Sequence, residues 1–378
     1  MTTVAGVQNY SGMMTITAIE RSLQLYASLE FPDNNIQKSI VTHADKVIDN
    51  GNIIIDNKQH TKWFDKSGLC YFGKGPVKPD IIYGQPNIST KHGISKDFKK
   101  IFEILNGYRP EYFLFIIPAK FKDKIIAYFK SSNGVPNYKW TVVRISALTL
   151  GIPVKASYFC IVGSKKKLSP VVKELTIENL PTINDRLISL YETNEYRLNI
   201  DRIKNHDLLP YDNCGIQMKL LWDSIPILEP GQALYDFPDE YPLCAKEYQG
   251  KLLKIQMPVR PHLNMPIGSI SVTPKYIHPV LARPLTIREL ARISMIPDSI
   301  DFGTNYLKGF RYLSNLIPQP VCEYAFSLVD STHHGEKNNI IFIDASKQVD
   351  ALYKDAKKIN RDQKIVFNDG ESNCIIEA

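Results

Sequence analysis

HPVLARPLTIRELARISMIPDSIDF, His278 to Phe302, is the stretch from which the rest of the chain is read. Thr286 and Glu289 stand at capping-box spacing, where hydroxyl and carboxylate each satisfy an orphaned backbone N–H at a helix start. Ile287, Leu290 and Ile293 then fall on one helical face, and Pro297 ends the run. Downstream, FRYLSNLIPQPVCEYAF, Phe310 to Phe326, predicts a second helix after Pro318, with Val321, Tyr324, Ala325 and Leu328 recurring at helical spacing. The tail from His333 onward reads as a strand (Asn339 to Ile343), a helix (Ser346 to Ile359) and a last strand (Lys364 to Phe367).

Upstream the texture changes twice. From about residue 185 to 275 the sequence is irregular and rich in Pro, Tyr and Asp, as in LLPYDNCG and LYDFPDEYPLC, which predicts a second, smaller domain. Before it, short apolar runs bounded by turn residues read as buried parallel strands: Ser39 to Thr42, Asn52 to Asp56, Asp80 to Tyr83, Tyr112 to Ile117, Trp140 to Ile145 and Tyr158 to Val162. Helix-like stretches lie among them, Thr17 to Leu29, Lys96 to Leu105 and Phe121 to Phe129. Alternation of this kind predicts a doubly wound, Rossmann-like α/β domain that binds ligands at the carboxyl ends of its strands. The expected organisation is an α/β domain over 1–183, a small domain over 184–277, a return segment completing the first domain over 278–332 and an extension over 333–378.

With 378 residues, 44% hydrophobic and 22% charged, the chain is long and apolar enough to bury one large core or two smaller ones. The start, MTTVAGVQNYSG, has neither a basic nor an apolar targeting region, and the longest apolar run, Tyr112 to Ala119, is far shorter than a membrane span. A soluble, cytoplasmic or nucleoid-associated protein with no membrane partner is the expectation. Six scattered cysteines show no zinc-site spacing, and Cys70, Cys160 and Cys322 are expected in the core. His333 and His334 lack a third ligand at helical spacing and read as surface residues, so no metal is expected. A net charge of +7 favours a polyanionic partner.

The order of residues in His278 to Phe302 resembles the ninth conserved block of the DNA cytosine-5 methyltransferases: an Arg, then Leu-Thr, Arg-Glu, Ala-Arg and Pro-Asp pairs. Phe310 to Phe326 resembles the tenth block, with Asn315 and Pro318 retained and Ser314 where the family has Gly. PDIIYGQPNIST (Pro79 to Thr90), NGYRPEYFLFIIPAKF (Asn106 to Phe121) and VRISALTLGIPVKASYFCIVGSKK (Val143 to Lys167) resemble the fourth, sixth and eighth blocks in order. The resemblance spans most of residues 1–330 and implies an S-adenosylmethionine-dependent methyltransferase fold with a target-recognition-like small domain.

The family's chemistry needs a Cys thiolate to attack a flipped cytosine, a Glu to stabilise the ring and arginines to support it. The alignment puts the nucleophile on Ile88, or on Asn87 with a one-residue slip. It puts the Glu on Ile116, and the Gln-x-Arg-x-Arg residues on Val154, Ala156 and Tyr158. None of these side chains performs the required step. The cofactor residues implied are Tyr10, Ser11, Gly12, Asp45, Asp56, Pro86 and Asn315; Asp45 and Asp56 read equally well as solvated loop carboxylates. Met14 and Thr15 replace glycines of the cofactor turn and count against S-adenosylmethionine binding.

Lys91, Lys96, Lys99 and Lys100, just after the fourth block, and Lys165 and Lys166 in GSKKK are candidate phosphate contacts, each also readable as a solvated basic segment. Arg197, Arg202, Lys204 and Lys219 of the irregular region are further candidates. Losing one member of a cooperating catalytic unit lowers turnover by up to roughly a million-fold, and here several are gone. The leading expectation is a catalytically degenerate chain that binds DNA, a catalytic methyltransferase subunit or a second copy of itself. The alternatives are an active base-modifying enzyme with a non-standard nucleophile, and an interaction protein docking through residues 333–378.

Overall fold

A computed structural model describes residues 3–9, 13–21, 24–30, 52–55, 70–72, 75–77, 79–86, 101–102, 104–118, 122–130, 135, 137–165, 169–173, 179–191, 205–206, 208, 211–213, 215–238, 241–243, 257–333, 339–343 and, in part, 348–355. Seven strands form the central sheet: β1 (Thr3–Asn9), β2 (Gln24–Glu30), β3 (Asn52–Ile55), β4 (Ile81–Gly84), β5 (Tyr112–Pro118), β6 (Lys139–Ser146) and β7 (Ser157–Ser164). Their order is β3-β2-β1-β4-β5-β7-β6. The pairs from β3 to β5 are parallel, whereas β7 runs antiparallel to both neighbours.

β5, YFLFIIP, is apolar throughout because both of its faces are covered. Tyr112, Leu114 and Ile116 join the larger core with the helices α1 (Met13–Glu20) and α7 (Gln319–His333), while Phe113, Phe115 and Ile117 join a second core with α2 (Lys122–Lys130) and residues 101–108. On β7, Gly163 lets the Phe113 ring lie against the backbone; a Cβ there would stand 2.1 Å from a ring carbon.

Two expectations change here. The segment Thr17 to Leu29, read as one helix, divides: α1 stops at Glu20, and residues 24–30 are a strand between β1 and β3. Pairing on both edges outweighs a local helical pattern, because strand preference is set by neighbours. Tyr158 to Val162, read as parallel, is antiparallel. The chain between β6 and β7 is a 3-10 turn at Leu148–Leu150 with Gly151 at φ 73°, too short for the crossover that a parallel pair needs. Ser39 to Thr42, residues 96–100 of the expected helix, and Lys364 to Phe367 lie outside the described residues.

The remaining helices are α3 (Asn184–Tyr191), α4 (Ile216–Asp223), α5 (Ile287–Ile293) and α6 (Tyr306–Leu313). The expected capping box opens α5: Thr286 Oγ1 accepts from the Glu289 amide at 3.2 Å, and Glu289 Oε2 accepts from the Thr286 amide at 2.8 Å. Gly309 of α6 packs so closely that a Cβ would meet Ile287 at 2.8 Å. Between α3 and α5 the described chain is mostly irregular, held by isolated bridges such as Ala233 with Val259 and Val259 with Tyr276. It is tied to the connection between β6 and β7 where Val154 bridges Ile267. After α7, β9 (Asn339–Ile343) pairs in parallel with β8 (Ser169–Lys173).

Candidate functional site

In the order β2-β1-β4 the chain reverses direction of travel across the sheet at β1, the switch point beside which open α/β sheets bind ligands. Asn9, the last residue of β1, is in register with Glu30, the last residue of β2. β4 ends at Gly84 and leads into Gln85 and Pro86, both buried. Gln85 Nε2 donates to the Asn315 carbonyl at 2.8 Å, a contact across 230 residues. The fold therefore brings together Pro86 and Asn315, two candidates from separate motifs. Ser314 caps α6 at φ −65°, an ordinary right-handed conformation, and its hydroxyl donates to the Arg311 carbonyl, so replacing the family's Gly strains nothing.

Glu30 was not among the sequence candidates because its segment read as a helix; the residue ends β2, about 20 residues beyond the Tyr10 to Gly12 segment. Asp45 and Asp56, the earlier candidates for this edge, lie outside the described residues, as do Tyr10, Ser11, Gly12, Asn87, Ile88, Lys91, Lys96, Lys99, Lys100, Lys166, Arg197, Arg202, Lys204 and His334. Met14 and Thr15 are completely buried in α1; Met14 joins the main core and the Thr15 hydroxyl bonds the Tyr83 hydroxyl at 2.9 Å. Their side chains face the core between helix and sheet.

Ile116 is 1% exposed and stands opposite Cys160 on β7. Ala156 and Tyr158 pack at the start of β7, with Tyr158 opposite Pro118, and Val154 is buried. Burial pushes the Tyr158 phenol above its usual range, and the Cys322 thiol nearby adds to the effect. Cys160 and Cys322 are buried in the core, as expected. Burial pushes both thiols up, and a hydrogen bond with Thr17 only partly offsets this at Cys322. At neutral pH both are thiols, the unreactive form.

Lys165 does not join this edge. It follows β7 at the amino-terminal end of β5, where its ammonium donates to the Arg109 carbonyl and its amide bonds the Glu111 carbonyl. Lys219 lies on α4 with its ammonium 5.3 Å from the centre of the Tyr211 ring. Among the described residues, no group of three or more His, Cys, Asp and Glu side chains is arranged to hold a metal ion.

The charged residues of His278 to Phe302 build a latch. Glu289, fully buried, takes a two-pronged bond from Arg283 at 2.6 and 2.8 Å. Burial opposes its charge, but the Arg283 bonds, the His278 ring and the Thr286 amide together hold the carboxyl below its ordinary value. His278 accepts the Val280 and Leu281 amides on Nδ1 at 3.1 and 2.9 Å, which leaves the proton of the neutral ring on Nε2, 3.6 Å from Glu289. Burial lowers the His278 pKa to about 4, against the pull of Glu289 and with help from Arg260 and His206. Arg288, 1% exposed, donates to the Ile300 carbonyl at 2.7 Å with its guanidinium 5.2 Å from the centre of the Phe302 ring. These residues join α5 to the loops around it.

No protein-family model and no curated protein sequence matches the chain. Solved structures do. A putative DNA modification methyltransferase encoded within an E. coli prophage superposes with a TM-score of 0.58 at 16% identity, over 87% of this chain and 100% of its own. The S. pombe Dnmt2 methyltransferase gives a TM-score of 0.50 at 14% identity, over 88% of this chain and 100% of its own. At such identities the likeness is one of fold: a Rossmann-like α/β fold shared with these two methyltransferases.

Proposed function

We propose that this chain is a DNA cytosine-5 methyltransferase-like protein that binds DNA, alone or with a catalytic partner subunit, and does not itself transfer a methyl group through a thiolate. The observation that carries the reading is Ile116. At the position aligned with the family's Glu, it is an aliphatic side chain packed in the main core, with no proton to give. The protonated, buried state of Cys160 and Cys322 supports the same reading, and the net charge of +7 supports a polyanionic partner.

The fold implies S-adenosylmethionine, which supplies an electrophilic methyl group when bound. The order of the described strands supports a site for its adenosine half at their carboxyl ends. Glu30 ends β2 beside the end of β1, the place from which a carboxylate meets ribose hydroxyls. Met14 and Thr15 face the core and do not obstruct that edge. A retained adenosyl pocket on a chain without the catalytic unit is the state proposed here.

The test combines two measurements on the full chain. Anisotropy of labelled duplex DNA across a salt series should show affinity falling as salt rises; absence of binding even at low ionic strength refutes DNA binding. DNA incubated with excess protein and isotopically labelled cofactor should stay unmodified by mass spectrometry. A labelled base would overturn the inactive reading and favour an enzyme with a non-standard nucleophile.

A further inference from the structure

A shallow cavity of about 340 Å³, open to solvent, lies between α3, the turn ending α5 and the start of α7. None of Glu30, Gln85 and Pro86 lines it. Arg186 of α3 does, half-buried at its wall. Of its five N–H donors, the hydrogen bond made among the described residues is from Nη2 to the Met295 thioether at 3.3 Å, a weak acceptor. Beside it, Arg292 is matched by Asp298, which it grips from Nε and Nη2 at 3.0 and 2.5 Å, while the Asp185 carboxylate accepts from the Thr182 hydroxyl at 3.0 Å.

The backbone supplies a second, independent sign. α5 ends in a Schellman turn, with the Ile296 amide bonded to the Ala291 carbonyl and the Met295 amide to the Arg292 carbonyl. Met295 occupies its left-handed position at φ 53°, where glycine sits without strain. The side chain there holds its thioether against Arg186, and strained positions gather at ligand clamps.

We propose that this cavity binds a small oxyanion, a phosphate or carboxylate group, whose oxygens take the Arg186 donors in place of the Met295 sulfur. A planar guanidinium fork suits two oxygens of one such group. The volume suits a compact metabolite, at the small end of ligand sites. The inference is independent of catalytic status and of DNA binding.

Calorimetry of the full chain with inorganic phosphate, and separately with acetate, at constant ionic strength should show saturable binding of one or both. Arg186→Gln should weaken it by roughly tenfold or more, the size of one lost charge-assisted contact. Arg311→Gln, which removes an exposed cation of α6 outside the cavity, should leave it unchanged. Thermal melts establish that the variants are folded; should Arg186→Gln unfold, Arg186→Lys keeps the charge, loses the fork and should show a smaller weakening. Duplex affinity measured on the same variants separates the sources: a fall in both assigns the site to a backbone phosphate, and a fall in phosphate or acetate binding alone assigns it to a free molecule. Absence of saturable binding up to millimolar concentrations, or equal binding by wild type and Arg186→Gln, overturns the proposal.

Discussion

Acidification should unlatch the segment around α5 through His278. The ring is buried, its Nδ1 already accepts two backbone amides, and protonating it would place a hydrogen where those donors converge. An unfolded histidine takes up its proton near 6.5, whereas this one resists until about 4. Its stabilising contribution is therefore complete above 6.5 and disappears as pH falls from 6.5 toward 4. At about 1.4 kcal/mol per pH unit, the whole window is worth about 3 kcal/mol. Urea denaturation at pH 7, 6 and 5, a range chosen to stay above most carboxylate titration, should show stability falling by about 2 kcal/mol. His278→Asn isolates the effect, since the amide oxygen can take the place of Nδ1 as acceptor and does not titrate. The variant should lose most of that slope while keeping most of the stability at pH 7. A slope unchanged in the variant, or a wild-type chain equally stable at pH 7 and 5, would refute the assignment.

Three further predictions rest on packing and hydrogen bonding. Glu289→Ala removes the acceptor of both Arg283 and the Thr286 amide, and should cost about 3 kcal/mol or more in denaturant unfolding; a loss under 1 kcal/mol would mean that Arg283 is served by water. Gly163→Ala places a Cβ against the Phe113 ring and should destabilise by about 1–3 kcal/mol. Phe113→Leu in the same chain should recover part of that, and strict additivity in the double-mutant cycle would count against the clash. Met295→Gly relieves the left-handed conformation and should raise stability by about 1 kcal/mol, read as a higher melting temperature; a lower one would show that the thioether's packing outweighs the strain.

Several features were legible because they depend on local rules. Thr286 and Glu289 specified the α5 capping box, and Val321, Tyr324, Ala325 and Leu328 specified the α7 face, since a helix is assembled from residues three and four apart. The continuous apolar character of Tyr112 to Ile117 announced a strand covered on both sides. Glu30 was hidden because QLYASLE carries a pattern that a helix also accepts, and its strand identity comes from β1 and β3 on either side. The direction of β7 was likewise set by the length of a connection.

What the sequence determined alone was the α/β character of the chain and the helices with their caps, because side-chain identity and short-range spacing need no partner. Only the tertiary structure decided strand order and direction, the placing of Gln85 beside Asn315, the burial of Arg288 and Glu289 in a latch, and the setting of Arg186 against a thioether at a cavity wall. Each of these depends on residues far apart in the chain being packed together, and the packing fixes which charges are satisfied and which donors remain.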